Sequence, residues 1–343
     1  MVLKQDGSVW AAGENMHGQL GDGSTTRRRI FVNVVPGGVT AVAAGDSYSM
    51  VLKQDGSVWT TGLNSDGILG IRFVLKSSHT FVEVISNGAK AVAAGSSFSM
   101  VLKQDGSVWA AGRWYMSEDM FTNGFEKVVA DRVVKVAAGF SHSIILKEDG
   151  SAWSQGYNRY GELGDGSTTD RQSYVKVVSG QVKSVAAGNH HSMVLKHDGS
   201  VWITGSNSFG QLGDGSRAGS PIFTQVMSSG AKAMAAGYDY SMVLKQDGSV
   251  WATGWNEDGQ LGNGKFSLYS LTFIQVISDV TKALAAGRSH SFVLKEDGSV
   301  WVTGTNAHGQ FGDGSTTSRW EIIFVRVIDA LQNRNGMWLT MLP

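Results

Sequence analysis

Histidine is followed by serine at His142-Ser143, His191-Ser192 and His290-Ser291, and such a pair invites an acyl-transfer reading in which the imidazole takes the hydroxyl proton. Adjacent residues on a strand point to opposite faces, so this adjacency works against a catalytic dyad. Gly259 to Lys265 reads GQLGNGK, most of a phosphate-cradling loop. That loop needs Ser or Thr next, between a strand and a helix, and Phe266 stands there instead. Sister copies read GQLGDGS, so the lysine is drift within a repeat. There is no cysteine, which removes a thiol nucleophile, thiolate metal ligands and disulfides. The eight histidines show no helical i, i+4 metal pair, and His190-His191 diverge on a strand. Aspartates recur mainly in Asp-Gly turns, and no two carboxylates stand out as a glycosidase pair. The expectation is a protein that is not an enzyme, with no catalytic residues, no cofactor and no metal.

These residues all belong to a repeat. Val51 to Trp59 reads VLKQDGSVW, and close copies place tryptophans at Trp10, Trp59, Trp109, Trp153, Trp202, Trp251 and Trp301. A period of about 50 residues points to a solenoid, propeller or array. Apolar runs of four to six residues alternate with glycine-containing turns, which leaves no room for a ten-residue helix and gives about four short strands per unit. The 45 glycines and 3 prolines among 343 residues suit many tight turns. Asp55-Gly56 predicts a two-residue type I′ hairpin loop pairing Leu52 with Trp59 on one face and leaving Val51 on the other. Bulk on both faces predicts that both are covered, with the tryptophans as core.

Three pieces recur in order along essentially the whole chain: AVAAGxxxS, VLKQDGSVW and GxNxxGQLGDGST. They resemble the repeat of the regulator of chromosome condensation family. The resemblance implies an all-β, seven-bladed β-propeller of four-stranded blades in a single domain, residues 1–343; composition and spacing alone give only a repetitive all-β protein. The hairpin occurs seven times and the AVAAG strand six times, so the chain starts in mid-blade. Ring closure by pairing of the N- and C-terminal segments is expected, with part of Asn335 to Leu342 supplying the missing strand. The alternative is an internal piece of a longer array.

In a repeat protein the constant positions build the scaffold, and the positions that differ between copies carry the particular function. The first residue after the AVAAG glycine is Asp46, Ser96, Phe140, Asn189, Tyr238 or Arg288, and the second includes His190 and Asp239. The third is always aromatic or histidine (Tyr48, Phe98, His142, His191, Tyr240, His290) and therefore reads as structural. Asp46, Phe140, His190, Tyr238, Asp239 and Arg288 have the aromatic and charged content of a protein-binding surface. No tryptophan stands at the first variable position, so ultraviolet sensing through a tryptophan cluster, which one branch of the family performs, is not supported. In the third unit GRWYMSEDMFTNGFEK replaces the glycine-rich loop, and Trp114, Tyr115 and Phe121 there are further candidates. In the second unit GILGIRFVLKSSHT breaks the same loop.

Charge bounds the partner. With 29 basic against 29 acidic residues the chain lacks the basic excess of a phosphate-binding protein, which argues against direct nucleic-acid binding. No apolar run reaches the length of a membrane helix, and the N-terminus does not resemble an export signal. The expected function is a protein-protein interaction scaffold, cytoplasmic or nuclear and monomeric, using variable loops on one propeller face. The resemblance adds two alternatives: guanine-nucleotide exchange on a Ran-type small GTPase, and a regulatory module of a larger ubiquitin-ligase-type protein.

Overall fold

The computed structural model describes residues 1–71, 75–113, 124–265, 267–278, 280–318 and 324–328. Their strands form seven antiparallel sheets, six of four strands and one of three. Each full blade is a meander in sequence order, as in blade 2: Val39–Ala44, Tyr48–Lys53, Val58–Leu63 and Ser77–Ile85. The Ala-Ala-Gly ends of the first strands line the central axis, so these strands are innermost. Blade 1 comprises Val2–Leu3, Val9–Gly13 and Arg28–Val35. The segment expected to complete it, Asn335 to Leu342, lies outside the described residues. Blade 3 keeps a short outermost strand, Glu126–Val129, where blades 2 and 4 to 6 have eight or nine residues.

The repeated hairpin differs from its expected register. Val51 pairs with Trp59 and Leu52 with Val58, so Leu52 and Trp59 lie on opposite faces. The loop has three residues: the Gly56 N–H donates to the Lys53 carbonyl (3.0 Å), and φ is positive at Gly56 but not at Asp55. This is a type I turn closed by a left-handed glycine. The cause is local, because the Asp55 carboxylate accepts the Ser57 N–H at 2.9 Å and holds the aspartate in an Asx turn. The Ser57 hydroxyl then accepts the Trp59 indole N–H (2.9 Å). Trp59 is half-buried rather than core, and Lys53 Nζ lies 3.8 Å from its ring centroid.

The corrected register assigns the two faces. Met50, Leu52 and Val58 pack forward onto Ala89, Val92 and Val101 of blade 3. Val51 packs back onto Leu3, Val9 and Val35 of blade 1, with Trp59 at its edge. Every inter-blade seam repeats this, and each fully buried side chain contributes about 1.5–3 kcal/mol.

A second device joins neighbours at the rim. In the GxNxxGQLGDGST loop of blade 1, buried Asn15 accepts the Leu20 N–H and donates to Asp22 Oδ1 and to the Ser24 and Thr26 carbonyls. The loop so held reaches the outermost strand of blade 2, where the Gly23 N–H donates to the His79 carbonyl (2.9 Å) and Asp22 bridges Thr80. Blade 7 clasps blade 1 in the same way, with the Gly314 N–H on the Arg29 carbonyl (2.8 Å) and Asp313 bridging Ile30. The ring is therefore closed at its outer edge within the described residues.

Gly95, at the end of an inner strand, has no positive φ, yet a Cβ there would lie 2.7 Å from both the Gly139 carbonyl oxygen and Phe98 Cε1. Gly88 has φ +76° and nothing within 4 Å of its Cβ direction. Gly95→Ala is expected to lower stability by about 3 kcal/mol through overpacking between blades, and Gly88→Ala by about 1 kcal/mol through backbone strain alone. Urea unfolding of the two variants measures the difference, and equal losses would contradict the seam argument.

Candidate functional site: the variable rim

One face of the ring, here the top, carries the loops after the inner strands and the GxNxxGQLGDGST loops. Both are positioned by a buried belt. The third residue after each Ala-Ala-Gly lays its ring under that glycine, and the serine beside it anchors the preceding blade's loop. Ser192 Oγ donates to the Glu162 carbonyl at 2.7 Å, and Ser241 Oγ to that of Gln211 at 2.7 Å. With those hydroxyl protons committed, His142 Nε2–H must donate to Ser192 Oγ (2.9 Å) and His191 Nε2–H to Ser241 Oγ (3.0 Å). Tyr48 and Tyr240 serve the same place by donating to the Phe98 and His290 carbonyls at 2.6 and 2.7 Å. Phe98 has no polar tip, so the shared requirement is a flat ring. Adjacent histidine and serine therefore act between blades, structurally. In blade 4 the pattern shifts, and Ser143 bonds the Tyr174 hydroxyl at 2.9 Å.

The neutral state of these histidines is imposed by burial, which lowers His142 to about 4 and His191 to about 3. For His142, Glu162 opposes the shift.

Above the belt lies the rim. Asp46, Ser96, Phe140, Asn189, Tyr238 and Arg288 ring the mouth of an axial cavity of about 470 Å3 whose walls include the Ala-Ala-Gly strand ends. Among the residues singled out in the sequence, the structure brings together Phe140, His190, Tyr238, Asp239 and Arg288. Phe140 stands 5.8 Å from His190 and 6.5 Å, edge-on, from Tyr238 between ring centroids. The Arg288 guanidinium stacks 4.8 Å from the Tyr238 centroid. Asp239 is half-buried, and burial holds its carboxyl above the usual range while His190 and Arg288 pull it back. Asp46 is apart from this group, exposed in blade 2 and accepting the Ser96 hydroxyl at 2.6 Å. Trp114, Tyr115 and Phe121 lie outside the described residues.

Sequence reading missed a second set of variable positions, those flanking the loop asparagine. Tyr157 and Tyr160 sit 6.3 and 4.7 Å from the His190 ring, and Phe209 meets Trp255 edge-on at 4.2 Å. It also missed Glu162. Blades 1, 5, 6 and 7 carry glutamine there, Gln19, Gln211, Gln260 and Gln310. In each, Oε1 accepts a loop N–H; Glu162 Oε2 does the same for Tyr160 at 2.8 Å. In blade 5 the Gln211 amide then donates to Asp239 at 3.2 Å, whereas Glu162 Oε1 faces His190 Nδ1 at 3.6 Å. The exchange of Gln-Asp for Glu-His one blade earlier was visible as GELG among GQLG copies. Among the described residues no cluster of three or more histidines and acids is placed to hold a metal, and no helix is long and apolar enough to cross a membrane.

The model of the RCC1-like domain matches residues 1–275, and that of the regulator of chromosome condensation (RCC1) repeat matches residues 281–310. No curated protein matches the chain. Among solved structures, yeast RCC1 (Prp20) bound to Kap60 is similar at 21% identity, covering 98% of this chain and 87% of that chain with a TM-score of 0.85. Prp20p from Saccharomyces cerevisiae, studied with its binding to Gsp1p and histones, is similar at 20% identity over 98% and 91%, TM-score 0.85. Human WBSCR16 is similar at 21% identity over 94% of both chains, TM-score 0.83. At these identities the likeness establishes the shared fold.

The belt makes stability pH-dependent. His142 and His191 titrate near the ordinary value of about 6.5 when unfolded, so between there and their folded values the unfolded chain binds more protons. Their stabilising neutral state is fully present above about pH 6.5 and is lost as pH falls towards about 4, by on the order of 3 kcal/mol each. The double variant His142→Phe, His191→Phe, which places at both positions the ring that Phe98 already supplies in blade 3, is expected to keep a flatter urea midpoint between about pH 7 and pH 4 than the parent. An unchanged pH slope would refute the assignment.

Proposed function

The chain belongs to the RCC1-like domain family, and from that membership we propose that it is a non-enzymatic protein-binding propeller whose partner docks on the top rim over blades 4 to 6. The observation that carries this reading is where the repeat's variation falls. On blades 4 to 6 the variable positions hold Phe140, Tyr157, Tyr160, Phe209, Tyr238 and Trp255, whereas blades 2 and 3 place Asp46, Ser47, Ser96 and Ser97 at the equivalent inner-loop positions. Aromatic anchors with a nearby arginine are what protein interfaces concentrate at their centres. Several of these rings already pack on one another or on His190, which leaves them less freedom to lose when a partner arrives.

A second reading is guanine-nucleotide exchange on a Ran-type small GTPase. It is supported by the likeness to Prp20, a protein studied for its binding to Gsp1p. It would use a propeller face in the same way, and the identity of the partner separates the two readings.

Capture from a lysate of the source cell tests the surface. Three baits are compared: the parent, a rim variant (Phe140→Ala, Tyr160→Ala, Tyr238→Ala) and an opposite-face variant (Gln54→Ala, Gln104→Ala, Gln246→Ala) at exposed hairpin tips. A partner retained by the parent and the opposite-face variant is expected to be lost, by tenfold or more at about 1.4 kcal/mol per decade, from the rim variant. Retention by the rim variant with loss from the opposite-face variant would move the site to the other side of the ring.

A further inference from the structure

The rim at the junction of blades 4 to 6 holds acceptors that no group of the protein satisfies. Glu162 is fully buried and its Oε1 has no hydrogen-bond donor. Asn189, 6% exposed between Phe140 and Tyr238 in the order of the blades, has its Oδ1 in the same condition. Buried acceptors are normally paired, and an unpaired carboxylate oxygen is the more costly case. The group facing Glu162 is His190 Nδ1, at 3.6 Å beyond hydrogen-bond range. A carboxylate on that side assigns the ring proton to Nδ1, which leaves Nε2 as an acceptor on a side chain 25% exposed. Asp239 adds a second carboxylate beside the same histidine.

Two carboxylates, Glu162 and Asp239, lie on either side of His190, while the two guanidinia of the sector are already engaged with its rings, Arg288 stacked on Tyr238 and Arg159 bonded to the Tyr157 side chain. Around it are the faces and edges of Phe140, Tyr157 and Tyr160. Unfilled acceptors, carboxylates beside the histidine and aromatic rings together fit a planar cation rich in N–H donors. The protein itself uses that pairing twice on this face, stacking Arg288 on Tyr238 and Arg217 on Tyr269 at 4.8 and 5.2 Å.

We propose that the His190 sector of the rim, between Tyr160, Phe140 and Asp239, is the seat of an arginine side chain supplied by the partner protein. The guanidinium donates to His190 Nε2 and to the Asp239 carboxylate and stacks on the tyrosine rings. Glu162 acts as a positioning residue that fixes the histidine tautomer from beneath. This seat presupposes that the rim binds a protein, and it adds the chemistry by which it does so.

The test uses the whole chain and N-methylguanidinium chloride as the probe, followed by NMR of the His190 and Tyr160 side chains. Saturable shifts are expected with a midpoint on the order of 10 mM. His190→Phe and Asp239→Asn are each expected to weaken binding about fivefold or more while the backbone spectrum elsewhere is unchanged. Glu162→Gln, the residue of the sister blades, is expected to weaken it less. Equal shifts with N-methylurea or sodium chloride, or full binding by both His190→Phe and Asp239→Asn, would overturn the seat. Saturable shifts with sodium acetate and none with the guanidinium would overturn it in favour of an anion. If the probe does not bind while the rim variant still loses its captured partner, the seat fails and the rim stands. If the probe binds as expected and the rim variant keeps its partner, the rim reading fails instead.

Discussion

Everything in this ring depends on how closely one blade can approach the next at its inner end. The Ala-Ala-Gly strand brings a bare Cα against the carbonyl of the neighbouring glycine and against a flat ring three residues on in its own blade, with no space for a methyl group. From that approach follow the aromatic or histidine at the third position, the serine beside it and the carbonyl that the serine holds. A sheet with both faces covered has no stability without its neighbours, so the seam is the unit of stabilisation and the blade is only the unit of sequence.

Because the seam is satisfied by so few residues, the tips above it are released from structural duty. The same backbone hydrogen bonds, such as Tyr157 N–H to the Ser141 carbonyl and Trp255 N–H to that of Asp239, hold the upper loops wherever they occur. Side chains at those tips can change without disturbing the fold, and in blades 4 to 6 they have become aromatic and charged. The opposite face shows the contrary rule. There Asp, Gly and Ser are fixed by the turn and the tryptophan N–H, and the copies are nearly identical.

How much of this was legible in the sequence varied with the range of the interaction. Strand content, blade number and the structural character of the third position came from periodicity, constancy and family resemblance. The hairpin register did not, because Asp-Gly suits both a two-residue and a three-residue loop, and the choice is made by the Asp55 carboxylate bonding Ser57. The inner half of the rim came from comparing the repeats at two adjacent positions. Tyr157, Tyr160, Phe209 and Trp255 were missed because they flank a different loop and join the first set only across the seam. Glu162 stood in plain view as a departure from glutamine. Its meaning required knowing that the residue facing it, 28 positions later, is His190.

The rim clasp has a direction. In blades 1, 4 and 5 the glycine-rich loop reaches the outermost strand of the blade that follows, and blade 7 reaches blade 1 in the same sense. The contact is head-to-tail, of the kind that between separate molecules forms either a ring or an endless filament, depending on the angle per step. Here seven blades inside one chain complete the circle, and the clasp of blade 7 on blade 1 has the same geometry as that of blade 1 on blade 2. A chain opened at any of the lower hairpins and rejoined elsewhere would present the same set of contacts, so the position of its ends is a matter of gene order more than of architecture.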